Sequence, residues 1–124
     1  MGKKILVIDD DNVLRKIVVH HLKKNEFEVI EAVNGKEGLE KLKEFQPDLI
    51  ILDALMPVMS GYDFLKIVRG DKTYKNLKIL MLSANAMEDE KKLGLELGAD
   101  YYETKPFEVN EFIERVKGLL RDGG

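Results

Sequence analysis

Short apolar runs that end abruptly in charge dominate this chain. Ile5-Leu6-Val7-Ile8 stops at Asp9-Asp10-Asp11, Leu49-Ile50-Ile51-Leu52 stops at Asp53, and a last run leads through Tyr101 and Tyr102 to Lys105-Pro106. Runs this short and this uniformly apolar read as strands buried on both faces, which is the habit of parallel sheets. Two further strands are predicted over 27–32 and 78–82, and the last over 100–104. Between the strands the spacing turns helical. Leu14, Ile17, Val18, His21 and Leu22 form one stripe within 12–24, Leu39 and Leu42 face inward within 36–45, and Phe64, Leu65 and Val68 follow Ser60-Gly61. A fourth helix, over about 87–97, stops at Gly98 as a left-handed cap, and the closing helix over 109–120 turns Phe112, Ile113, Val116, Leu119 and Leu120 inward. Each crossover between parallel strands needs a helix and is right-handed. The alternation therefore predicts one α/β domain, a (βα)5 doubly wound sandwich with helices on both faces of a five-stranded parallel sheet.

At 124 residues the chain buries enough surface to need no staple, and with no cysteine it has no disulfide framework or zinc-thiolate site. A formal charge of −3, with lysines interspersed among glutamates, argues against direct nucleic-acid binding, which needs a basic stripe. No apolar stretch approaches the roughly 20 residues of a membrane span, and Met1-Gly2-Lys3-Lys4 leads straight into a strand, so a soluble cytoplasmic protein is the default. Arg121-Asp122-Gly123-Gly124 reads as a frayed end.

In open α/β sheets, ligands sit outside the carboxyl ends of the strands. Four carboxylates thus converge there on one ammonium, Lys105, with no other obvious cation. Asp11 has a simpler role as a helix N-cap. Asp9, Asp10 and Asp53 at the ends of neighbouring central strands are more than an acidic rim, since unpaired carboxylates held close together cost stability unless a cation compensates. All-oxygen donors fit Mg²⁺ best.

These residues spell out a family over nearly the whole chain. Asp9-Asp10 after the first strand, Asp53 followed by Met56-Pro57 and Met59-Ser60-Gly61, Ser83-Ala84 after the fourth strand and Lys105-Pro106-Phe107 after the fifth resemble response-regulator receiver domains of two-component signalling. The resemblance implies a CheY-like, flavodoxin-like sheet of strand order 2-1-3-4-5. It implies Asp53 as phosphoacceptor, taking a phosphoryl group from a sensor histidine kinase, a phosphotransfer protein or a small donor such as acetyl phosphate. Asp10 is then a direct Mg²⁺ ligand, Asp9 a ligand largely through water, and the Leu55 carbonyl a further oxygen. Lys105, the Ser83 hydroxyl and the Ala84 amide would each serve a phosphoryl oxygen, and the Lys105-Pro106 bond would be cis. Ser83 and Tyr102 would carry the switch, remodelling the face of the fourth helix, fifth strand and fifth helix toward a downstream target or output domain. Tyr101 alternates to the other face as packing.

Ser60 stands where many receivers have aspartate, and Asn85 occupies a variable position facing the site. His20 and His21 offer no metal spacing, and the Gly94-Gly98 pair lacks the apolar 20-mer that gives GxxxG its membrane meaning. Neither a P-loop nor a dinucleotide fingerprint occurs. Ending just after the fifth helix, the chain is expected to be a receiver over 1–124 without an output domain, monomeric or dimerising on phosphorylation. Its one clean apolar stripe on the last helix leans toward a stand-alone receiver. Two other classes remain open. One is a Mg²⁺-dependent phosphohydrolase with an aspartyl nucleophile, which usually carries a second acid where this chain has Leu55. The other is a phosphorylation-independent interaction module.

Overall fold

The computed structural model describes residues 2–122. Five strands, β1 (Lys4–Ile8), β2 (Glu28–Ala32), β3 (Leu49–Asp53), β4 (Lys78–Ser83) and β5 (Tyr101–Thr104), pair in parallel in the order β2-β1-β3-β4-β5. Helices α1 (Asn12–Lys24), α2 (Gly35–Phe45), α3 (Gly61–Arg69), α4 (Glu88–Glu96) and α5 (Val109–Asp122) make the crossovers, with a single 3-10 turn at Lys72–Tyr74 before β4. This is the architecture read from the alternation, and the strand order that the resemblance implied.

Side-chain alternation along each strand divides the core into two layers. Leu6, Ile8, Ile50, Leu52, Ile79 and Met81 point to one face and meet Phe64, Leu65 and Val68 of α3. Ile5, Val7, Leu49, Ile51, Leu80 and Leu82 point to the other, against Val18 and Leu22 of α1 and Phe112, Ile113 and Val116 of α5. Because both faces are covered, β1, β3 and β4 need apolar residues at every position, which is why their runs are uninterrupted.

Two expectations need correction. The interior stripe of α1 is Arg15, Val18, Val19 and Leu22, and Ile17 is 44% exposed. Val13 and Ile17 are as apolar as the residues that went inward, so the helix carries two possible stripes. The one containing Arg15 lets its guanidinium reach buried acceptors at the head of the helix. At the far end, α5 continues through Arg121 and Asp122, which had been assigned to a frayed end, and Gly123-Gly124 lie outside the described residues. The left-handed cap expected at Gly98 is present, and Gly94 has a local cause of its own. Gly94 is buried where a Cβ would stand 3.0 Å from the Tyr102 ring, and Gly98, one residue past the α4 cap, has φ +116 as a left-handed cap requires.

Candidate metal and phosphoacceptor site

β1 and β3 are neighbours, so their carboxyl ends deliver Asp9-Asp10 and Asp53 to one place, and β5, two strands further along, delivers Lys105. One carboxylate oxygen from each of Asp9, Asp10 and Asp53 lies within 4.8 Å of the others. Lys105 Nζ donates to Asp53 Oδ1 at 2.9 Å and stands 3.6 Å from Asp9 Oδ2, a distance at which charge attraction persists but no hydrogen bond forms. The Lys105-Pro106 bond is cis, as the resemblance implied.

Asp9 is almost fully committed. Its amide donates to the Ala32 carbonyl at 3.2 Å, and its Oδ1 accepts from the Asp11 amide at 2.9 Å. Oδ2 is left as the buried side-chain polar atom without a hydrogen-bond partner among the described residues. An orphaned carboxylate oxygen facing two more carboxylates is a position a cation would complete, and an all-oxygen donor set suits Mg²⁺. Asp11, in contrast, caps α1 by accepting from the Val13 and Leu14 amides, so the fourth carboxylate does leave the cluster for the helix.

The electrostatics agree. Burial, with the Asp9 and Asp10 charges added, pushes the Asp53 carboxyl up to about 6 despite the hydrogen bond from Lys105. Burial likewise raises Asp9 above the usual carboxylate range, against the opposing Asp11 amide and Lys105 charge. Burial works against the charge on Lys105, but the hydrogen bond and charge of Asp53, joined by Asp9 and Asp11, hold its ammonium above the ordinary lysine value. Carboxylates forced upward beside one overworked ammonium define a site short of positive charge.

The loop after β3 is built tightly around Asp53. The Gly61 amide donates to the Ala54 carbonyl at 2.8 Å, and a Cβ on Gly61 would collide with the Asp53 carbonyl oxygen. Between them, the Met59 amide reaches the Pro57 carbonyl at 2.8 Å across Val58, whose φ of 74 makes this a strained γ-turn. Ser60 takes the capping role open to it and accepts from the Asp63 amide at 3.1 Å. Leu55 projects its side chain into solvent, so only its backbone is available to the site.

On the other side, Ser83 is buried and its Oγ accepts from the Asn85 amide at 3.0 Å, while Ala84 is exposed. The Tyr102 ring lies inward, 3% exposed, with its hydroxyl donating to the Asn85 carbonyl at 3.0 Å. Both residues implied as the switch thus converge on Asn85. Tyr101 faces the opposite core and stacks under Arg115, whose guanidinium carbon is 4.2 Å from the ring centroid.

A second cation, absent from the sequence reading, lies directly beneath the acidic loop. Arg15 is 5% exposed and its guanidinium meets the Asp9 carbonyl, Asn12 Oδ1 and Glu31 Oε1 at 2.7, 2.7 and 2.8 Å. The signal that could have found it is its position three and four residues before Val18 and Val19, on an apolar face where a charge needs a reason.

A fold of this order, with an acidic cluster and a lysine at its strand ends, defines a doubly wound, flavodoxin-like α/β domain with a candidate cation site. The family model described as the response regulator receiver domain matches residues 5–117. The chain is 44% identical over 121 residues to the alkaline phosphatase synthesis transcriptional regulatory protein PhoP of Bacillus subtilis, covering 98% of this chain and 50% of that protein. To the phosphate regulon transcriptional regulatory protein PhoB of Escherichia coli it is 36% identical, covering 98% and 53%. It therefore spans about half the length of these curated relatives. Among solved structures, the chemotaxis response regulator CheY4 of Vibrio cholerae matches with a TM-score of 0.90 at 34% identity, covering 96% and 99% of the two chains. The receiver domain of the Francisella response regulator 1452 matches with 0.92 at 34%, covering 99% and 100%. The chain belongs to the response regulator receiver domain family.

Proposed function

We propose that this chain accepts a phosphoryl group on Asp53 and thereby switches the surface formed by α4, β5 and α5. The observation that carries the reading is a buried carboxylate with an ammonium 2.9 Å from its Oδ1, beside the orphaned oxygen of Asp9. An Asp53 oxygen attacks phosphorus in a phosphohistidine of a cytoplasmic sensor kinase or phosphotransfer protein. The phosphorus–nitrogen bond breaks, its electron pair leaves with the imidazole, and an acyl phosphate remains on Asp53. With acetyl phosphate the leaving group is acetate.

Asp9, Asp10, Asp53 and the Leu55 carbonyl are the residues that would hold Mg²⁺, which supplies charge compensation for the phosphoryl oxygens when bound. Lys105 takes a second share of that charge. Ser83 Oγ accepts from Asn85, so its own hydroxyl proton remains to be donated to a phosphoryl oxygen. Ala84 is small and exposed, which leaves room for the group and an amide to donate to it. A pull on Ser83 acts on Asn85, whose carbonyl anchors Tyr102, and this links the acyl phosphate to the α4-β5-α5 face as a population shift.

The chain acts on itself in this scheme and turns over no external substrate, and the apolar, exposed Leu55 leaves a phosphohydrolase without its usual second acid. Its output passes to a partner protein or to a domain joined to it. Intact-protein mass after incubation with Mg²⁺ and acetyl phosphate tests the reading. A gain of about 80 Da, labile to hydroxylamine and absent in Asp53→Ala, is the expected result. An unchanged wild-type mass sinks it.

A further inference from the structure

We propose that Arg15 is a positioning residue for the metal site, acting through the peptide bond that joins Asp9 to Asp10. Its Nη1 donates to the Asp9 carbonyl at 2.7 Å. That carbonyl belongs to the planar unit whose other half is the Asp10 amide, so fixing the oxygen fixes the plane and the direction in which the chain leaves toward Asp10. Asp9 is held from its other side by its amide on Ala32 and by its Oδ1 on the Asp11 amide. With the carbonyl also held, the remaining freedom of this two-carboxylate segment is small, and Oδ2 of Asp9 is left as a buried oxygen without a hydrogen-bond partner among the described residues.

The guanidinium acts here by geometry rather than by neutralising the acidic cluster. Its charge is matched by Glu31, at 2.8 Å on the neighbouring strand β2, and Lys16 reaches the same carboxylate at 3.1 Å. Burial works against the ionised form of Glu31, yet the hydrogen bonds from Arg15 and Lys16 hold its carboxyl below the usual glutamate range. Meanwhile the third guanidinium nitrogen takes Asn12 Oδ1 at 2.7 Å. Three nitrogens on three fixed acceptors leave the fork no freedom to turn, and only an arginine can span a backbone carbonyl, a side-chain amide and a carboxylate in one plane. A lysine would serve one acceptor and release the others.

This inference rests on the reading of Asp9 and Asp10 as the residues that hold Mg²⁺, and the test separates the two. Mg²⁺ affinity is measured by isothermal titration calorimetry on wild type, Arg15→Ala, Arg15→Lys and Val19→Ala, at a temperature where each is folded by circular dichroism. Val19 is buried on the same helix within an apolar core cluster that contains none of the carboxylates, so Val19→Ala reports what lost stability alone does to the affinity. We expect Arg15→Ala and Arg15→Lys each to weaken Mg²⁺ binding by about tenfold, as loss of a group that orients metal ligands does, with Val19→Ala within twofold of wild type. Should Arg15→Ala fail to fold, Arg15→Lys, which keeps the charge and most of the volume, carries the comparison. Wild-type affinity in the folded Arg15 variants overturns the positioning role and leaves the phosphoacceptor reading intact. Equal weakening in Val19→Ala overturns it as well, because the effect is then one of stability. A wild type that takes up no Mg²⁺ overturns both.

Discussion

The chemistry concentrates on a few carboxylates whose like charge is an energetic liability until a cation arrives. Asp53 makes the argument quantitative in sign. Its folded-state value of about 6 lies above the ordinary 3.8, so without metal the folded state binds a proton more tightly than the unfolded chain does. The stability this group contributes is therefore complete below about pH 4 and is lost as pH rises through about 6. Asp53→Asn removes the charge and keeps an acceptor for Lys105, which also has Asp9 within 3.6 Å. In EDTA the variant is expected to melt a few degrees above wild type at pH 7.5, with the gap closing toward pH 4. Paired thermal melts across that range check it, and a variant that melts below wild type at neutral pH would refute the picture of a self-repelling site.

At the scale of elements, the steric demands on the β3–α3 connection come from backbone, which cannot move aside. A methyl on Gly61 would meet the Asp53 carbonyl, and the Ala54 Cα would stand 2.9 Å away. Gly61→Ala should therefore cost about 3 kcal/mol, the upper range of overpacking, read as a lower urea midpoint at unchanged slope. The atoms nearest a methyl on Gly35 belong to the flexible Met59 side chain, so Gly35→Ala serves as the mild comparison. Equal effects would mean that the loop yields and that Gly61 holds no special place. The same contrast explains what was legible beforehand. β1, β3 and β4 could be read because both their faces are buried, so their runs carry no polar interruption and their ends announce the charges that follow. Asp9, Asp10 and Asp53 were found by that signal. On α1, Leu14, Val18 and Leu22 were read as inward and are, but the exact rotation was not legible, since Ile17 competes on equal terms with Val19, and the choice is made by the acceptors around Arg15. Nor was the packing of α4, whose buried residue is Gly94 against the Tyr102 ring. A helix that docks through a glycine offers no apolar stripe to read.

For the molecule as a whole, a metal bound at the strand ends would couple that site to global stability. β1 and β3 lie at the centre of the sheet and contribute residues to both core layers, so unfolding them unfolds everything and disperses Asp9, Asp10 and Asp53 together. A ligand that needs all three carboxylates in register binds the folded state alone, and its binding energy becomes stability. At a free Mg²⁺ concentration a hundred times its dissociation constant, this amounts to about 2.7 kcal/mol, which for a domain of this size raises the melting temperature by several degrees. EDTA should return it to the metal-free value, and the increment should shrink sharply in Asp10→Asn, whose side chain retains only a neutral oxygen. The apo melting temperature of that variant moves the other way, upward, because a repelling charge is gone. A metal site predicts these opposite signs in one protein, apo stability rising while the Mg²⁺ increment falls. Asp10 acting as an ordinary structural residue would lower the apo value and leave the increment unchanged.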